Sequence, residues 1–135
     1  MISAVNATAT PVIDVKIVNP TTLYDPAPYG YSHVVVATGA SRIAYIAGQG
    51  GEDAKGELSP HFDQQVQQAY RNIKLALDAI GAQPSQVTKL TTYVVDYEMD
   101  HLSVMTAALI TLFGDHLPAQ TLVPVPLNSA QRGCY

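Results

Sequence analysis

A single cysteine, Cys134, excludes an internal disulfide and any cysteine-based zinc cluster. That suits a reducing compartment, and a cytoplasmic location is the expectation. Charge is also scarce: Asp, Glu, Lys and Arg together make up 13% of the chain. The balance is acidic, 7 Lys+Arg against 11 Asp+Glu for a net charge of -4, which argues against a phosphate-binding surface. The basic residues, from Lys16 to Arg132, are scattered without the stripe that nucleic acid or anionic lipid would favour. No apolar run approaches membrane-spanning length. The opening MISAVNATAT has neither a charged n-region nor an apolar h-region, so a signal peptide is not expected. Asn6-Ala7-Thr8 matches the glycosylation pattern, but without a secretion signal it reads as ordinary chain.

What is there is apolar. Hydrophobic residues reach 47% over 135 residues, enough for one domain that buries much of its surface, partly against copies of itself. Residues 1–10 read as a flexible leader and 11–135 as the single domain. Val12 to Val18 alternates around Asp14 and Lys16 like an edge strand. A Pro-containing loop, Thr21 to Gly30, follows. Val34–Ala37 and Ile43–Ala47 are apolar β-type runs joined by Thr38-Gly39-Ala40-Ser41, a predicted hairpin.

Ser59 and Pro60 predict a helix start, and Val66, Ala69, Tyr70, Ile73, Leu77 and Ile80 recur at helical spacing up to Gly81. Val87 to Val95 is apolar on both faces, as a central strand would be. Asp100 predicts the cap of a second helix ending at Gly114, and Thr121 to Val125 a strand. Pro124 and Pro126 place that strand at an edge or bulge. Gly133-Cys134-Tyr135 reads as the start of another strand, cut short.

The order is β-β-β-α-β-α-β, with a further terminal β in prospect: an α+β chain with one mixed sheet and two helices on one face. The other face still carries Val, Tyr and Ile side chains, and nothing in the chain is left to cover it. A symmetric homo-oligomer is the simplest remedy.

Several segments together resemble the YjgF/Rid family of imine and enamine deaminases, also labelled L-PSP endoribonucleases. They are Pro28-Tyr29-Gly30-Tyr31-Ser32-His33, Tyr45-Ile46-Ala47-Gly48-Gln49, Gly56-Glu57-Leu58 and Gln67-Gln68-Ala69-Tyr70-Arg71-Asn72-Ile73. Ile80-Gly81-Ala82, Val87-Thr88-Lys89-Leu90 and Phe113-Gly114-Asp115 to Pro118-Ala119 continue the match, which runs from about Leu23 to Val125. The resemblance implies a chorismate-mutase-like fold, a homotrimer with clefts between subunits, and cofactor-free hydrolysis of a C=N bond. Such chemistry needs a cation for the substrate carboxylate, polar groups that align the imine, and a carboxylate that positions water.

The family's Pro-Ala-Arg-Ser/Thr reads Pro118-Ala119-Gln120-Thr121 here. An arginine fork bonds both carboxylate oxygens, whereas Gln120 offers one amide and no charge. A charge-assisted hydrogen bond is worth roughly 1.5–3 kcal/mol, a neutral one about 0.5–1.5, so carboxylate affinity should fall by an order of magnitude or more. Three further site positions differ: Ala47 replaces a polar residue before Gly48, Met105 the helix asparagine, and Leu122 a small or thiol side chain. The water-positioning glutamate belongs to a last strand beyond Tyr135. Tyr31, Gly48 and Gln49 remain as the resemblance implies.

Other arrangements carry less. Ser32 and His33 are neighbours on an extended segment and point to opposite faces, which opposes a nucleophile–base pair. Glu52 and Asp53 could replace the missing carboxylate, but solvated turn residues are the simpler reading. Gly48-Gln49-Gly50-Gly51 completes no dinucleotide fingerprint, and the histidines at 33, 61, 101 and 116 have no ligand spacing, so no metal is expected. Arg132 and Cys134 read as a loop and a strand residue.

The leading reading is a Rid-like small-molecule hydrolase or deaminase without a cofactor. Its substrate would be an uncharged imine, or a ligand with an amide-like edge, rather than a free amino-acid imine. A ligand-binding or regulatory trimer without catalysis is the alternative. Ribonuclease, the third, is opposed by the charge.

Overall fold

The computed structural model describes residues 14–40 and 42–126. The expected leader, the glycosylation-pattern tripeptide, Arg132, Cys134 and the start of a terminal strand lie outside them. Strand β1 (Asp14–Val18) pairs antiparallel with β2 (Val34–Thr38), Asp14 opposite Thr38 and Val18 opposite Val34. Helix α1 (Phe62–Ala79) leads to strand β3 (Lys89–Val95), helix α2 (His101–Phe113) and strand β4 (Ala119–Val125). β3 and β4 are parallel, from Lys89 opposite Ala119 to Val95 opposite Val125, so β3-α2-β4 is a crossover unit. The α+β class expected from the sequence is what the chain forms.

The sheet differs from the expectation in two ways. It is divided into two two-stranded sheets, joined by a single parallel bridge between Ser32 and Ala119. The predicted hairpin partner, Ile43–Ala47, forms no strand, and Tyr45 is 92% exposed and Ile43 75%. β2 takes β1 as its partner instead. A run of β-type residues specifies an extended segment with a surface to cover, but not the edge it joins.

Helix α1 begins three residues beyond Ser59. The Ser59 hydroxyl accepts from the His61 N–H (3.2 Å) and donates to Gln64 Oε1 (2.6 Å), closing a turn before the helix instead of capping it. Its far end is as expected: Gly81 takes φ +69, and the Ala82 N–H reaches back to Leu77 O (2.9 Å). Asp100 precedes α2, but its side chain makes no capping bond.

The core lies where the two helices meet one face of β3–β4. Val66 and Tyr70 from α1, Met105, Leu109 and Phe113 from α2, and Val94 from β3 form one buried cluster. Leu90, Thr92 and Val94 alternate inward along β3, while Thr91 and Tyr93 are exposed on the other face. On that face Tyr93 is 44% exposed, and Val34 and Val36 of β2 are 43% and 44% exposed.

Two tight contacts fasten loops to this core. The Asn72 amide donates to Gly50 O (3.0 Å) and Glu52 O (2.9 Å), tying the turn after residues 47–49 to α1. Gly30 has φ +80, and a Cβ there would come within 3.2 Å of Leu109 Cβ. Only glycine lets the Tyr29–Tyr31 segment lie this close to α2. Because Leu109 is 2% exposed and touches both layers, Leu109→Ala should cost about 2–5 kcal/mol. Urea denaturation measures that loss.

Candidate functional site

Strand β4 begins at Ala119, two residues earlier than Thr121, so Gln120 is a strand residue with a defined face. It lies opposite Leu90, and Leu122 lies opposite Thr92. Gln120 and Thr92 are thus diagonal neighbours on the side facing the helices. The Gln120 amide nitrogen donates to Thr92 Oγ1 at 3.2 Å. Thr92, a buried hydroxyl that sequence reasoning missed, anchors this glutamine. The only signal available for it was the inward alternation of β3.

Above Gln120 and Leu122 the chain forms a cleft of about 400 Å3. Met105 on α2 closes one wall, and Tyr24, Tyr29 and Tyr31 form the other end. None of the described residues that line it carries a charge. Four of the residues singled out in the sequence, Gln120, Tyr31, Met105 and Leu122, therefore share one cleft within a single chain. Ala47, Gly48 and Gln49 do not line it; the Gln49 amide instead donates to Ala47 O (3.1 Å).

The tyrosine end is held by its own contacts. The turn Ala27–Tyr29 closes with Tyr29 N–H on Pro26 O (3.0 Å), and Thr106 Oγ1 on α2 lies 3.4 Å from Tyr29 O. The Tyr24 and Tyr31 hydroxyls are hydrogen-bonded to each other. His33 Nε2 donates to Tyr24 O at 2.9 Å, because a carbonyl can only accept. Donation of its hydroxyl to Tyr24, then burial and the neighbouring phenols, push the Tyr31 phenol from 10.0 up to about 12. It therefore remains a neutral hydroxyl through physiological pH.

The remaining sequence candidates have structural roles. Ser32 is buried, its N–H bonded to Pro118 O (3.0 Å), while His33 faces Tyr24 and Tyr31, so the two form no nucleophile–base pair. Asp53 Oδ1 accepts from the Lys55 and Glu57 N–H groups (2.8 and 2.9 Å), as a turn residue does. Among the described residues no group of His, Cys, Asp and Glu could hold a metal ion, and no helix is long and apolar enough to cross a membrane.

A small α+β domain with a neutral cleft between its parallel strand pair and α2 defines the class. The family model described as Endoribonuclease L-PSP matches residues 24–131, and the chain belongs to that family. The RutC family protein PH0854 of Pyrococcus horikoshii is 33% identical over 107 residues, 74% of this chain and 78% of that protein. A Yersinia pestis structure described as a protein of unknown function of the conserved Rid protein family, YyfB, is 32% identical with a TM-score of 0.80. The match covers 85% of this chain and 88% of that one. RidA from the Antarctic bacterium Psychrobacter sp. PAMC 21119 shares the fold at 23% identity and TM-score 0.56, over 77% and 80% of the two chains. The chorismate-mutase-like architecture implied by the resemblance is that of these relatives.

Raising pH tests the tyrosine cluster. In the unfolded chain Tyr31 loses its proton near 10.0, while the folded chain holds it to about 12. Its contribution to stability is therefore complete below pH 10 and disappears as pH rises toward 12. A tyrosinate absorbance titration should show one late-ionising phenol that Tyr31→Phe removes.

Proposed function

We propose that this chain is a Rid-like hydrolase that adds water to the C=N bond of an imine, or a related C–N compound, bearing no free carboxylate. The observation that carries the reading is the uncharged lining of the cleft around Gln120. In this reading Gln120 occupies the position of the family's arginine, and the amino-acid carboxylate has lost its partner. A neutral amide anchored on Thr92 pairs with one polar group of a ligand and does not offset a negative charge. Tyr31, whose proton is held by the Tyr24 hydroxyl, offers its oxygen lone pairs to a ligand N–H or to the attacking water. Met105 and Leu122 supply apolar walls.

The working form is a homotrimer, supported by the bare outer face with Tyr93 and by exposed Val34 and Val36. Ala47, Gly48 and Gln49 lie outside their own chain's cleft and would complete a neighbour's. A second reading, a trimer that binds its ligand without turning it over, is favoured by one observation. No carboxylate or imidazole lines the cleft among the described residues to position water.

Ammonia release from amino-acid enamines, generated in situ by a dehydratase, should not be accelerated by the wild-type chain. Gln120→Arg should create that activity, and if it does not, this position is not what limits the reaction. An N-alkyl imine of an aliphatic aldehyde, followed by loss of its C=N absorbance, should be hydrolysed faster with the protein than without. Retention of such compounds without turnover favours the binding reading. Sedimentation should give three times the 14.4 kDa chain mass, and a stable monomer would remove the shared cleft.

A further inference from the structure

We propose that Tyr24, Tyr29 and Tyr31 form an aromatic cage that selects a positively charged, carboxylate-free iminium group. Tyr24 is the hub. Its ring stands at 81° to Tyr29 with centroids 6.0 Å apart, and at 72° to Tyr31 with centroids 6.5 Å apart. These are edge-to-face contacts that fix the three rings relative to one another, and a ring face left open on the cleft attracts a cation through its quadrupole. All three line the same cleft.

The surroundings favour positive charge. Among the described residues no Lys or Arg lines the cleft, and the chain carries a net charge of -4. The Gln120 amide is anchored through its nitrogen on Thr92, which leaves its carbonyl oxygen to accept from a ligand N–H. A cation placed here meets ring faces and oxygen acceptors.

The cage is also preformed. Tyr24 and Tyr31 share a hydroxyl contact, and His33 packs edge-on against both, 5.1 and 5.7 Å between centroids. Yet Tyr24 is 62% exposed and Tyr29 53%, so the box is rigid but open to solvent.

The inference rests on the hydrolase reading in using the same cleft, and it names that reaction's substrate class. One water molecule adds to the carbon of the protonated imine, and the products are a carbonyl compound and a protonated primary amine. The double bond from carbon to nitrogen is replaced by one from carbon to the water oxygen. Both water protons end on the amine nitrogen, and the total charge stays at one positive unit throughout. No oxidant, reductant or second reactant is required. A cage for positive charge holds the reactant in its electrophilic form.

Choline and 3,3-dimethylbutan-1-ol have the same shape and differ by the charge, and calorimetry on the intact protein compares them. Choline should bind about tenfold more tightly than the alcohol. Tyr29→Leu should remove about that factor for choline alone, while Tyr29→Phe, which keeps the ring, retains it. Gln120→Arg should abolish choline binding. With eight tyrosines and no tryptophan, tyrosine difference absorbance reports directly on the rings. Equal affinity for the two probes, or unchanged choline binding in folded Tyr29→Leu, overturns the cage. Imine hydrolysis without choline preference would sink the cage and leave the hydrolase, whereas choline preference without hydrolysis would do the reverse.

Discussion

The packing of α2 against the buried face of the β3–β4 pair governs the rest of the molecule. Met105 and Leu109 sit on Val94 and Leu122, and α1 closes over them through Val66 and Tyr70. The same helix receives Gly30 against Leu109 and places Thr106 beside the Tyr29 carbonyl. A single apolar contact surface thus sets the distance between Gln120 on the strand and the tyrosines on the loop. The cleft is the gap left where α2 passes over the start of β4.

The described residues that line this gap include no charged side chain. A guanidinium between the same walls would make a carboxylate site, whereas an amide held by a threonine hydroxyl gives a neutral polar point among phenols. Met105 and Leu122 line the same cleft as Gln120 and add apolar surface. The electrostatics of the cleft follow from which side chains are missing as much as from those present.

Much of the fold was legible because helical periodicity and glycine stops act locally. The stripe from Val66 to Leu77 and the φ +69 stop at Gly81 need no distant partner to be recognised. The strand ladder was less legible. Ile43–Ala47 has strand composition but no pairing, and β2 joins β1 across a long loop. In the site, Gln120, Tyr31, Met105 and Leu122 were named from the succession of family-like segments. Thr92 was missed because its importance lies in a diagonal contact between strands remote in sequence.

By itself the sequence determined the helices, their glycine stops, the α+β class and the neutral residue types available for a site, since each depends on neighbours a few positions apart. Tertiary structure alone decided the rest: that β3 and β4 run parallel and side by side, that Thr92 holds Gln120, and that three tyrosines meet at steep angles over it. Those relations join segments tens of residues apart. Local propensity has no term for them, and only the closing of α2 over the strand pair brings them within contact distance.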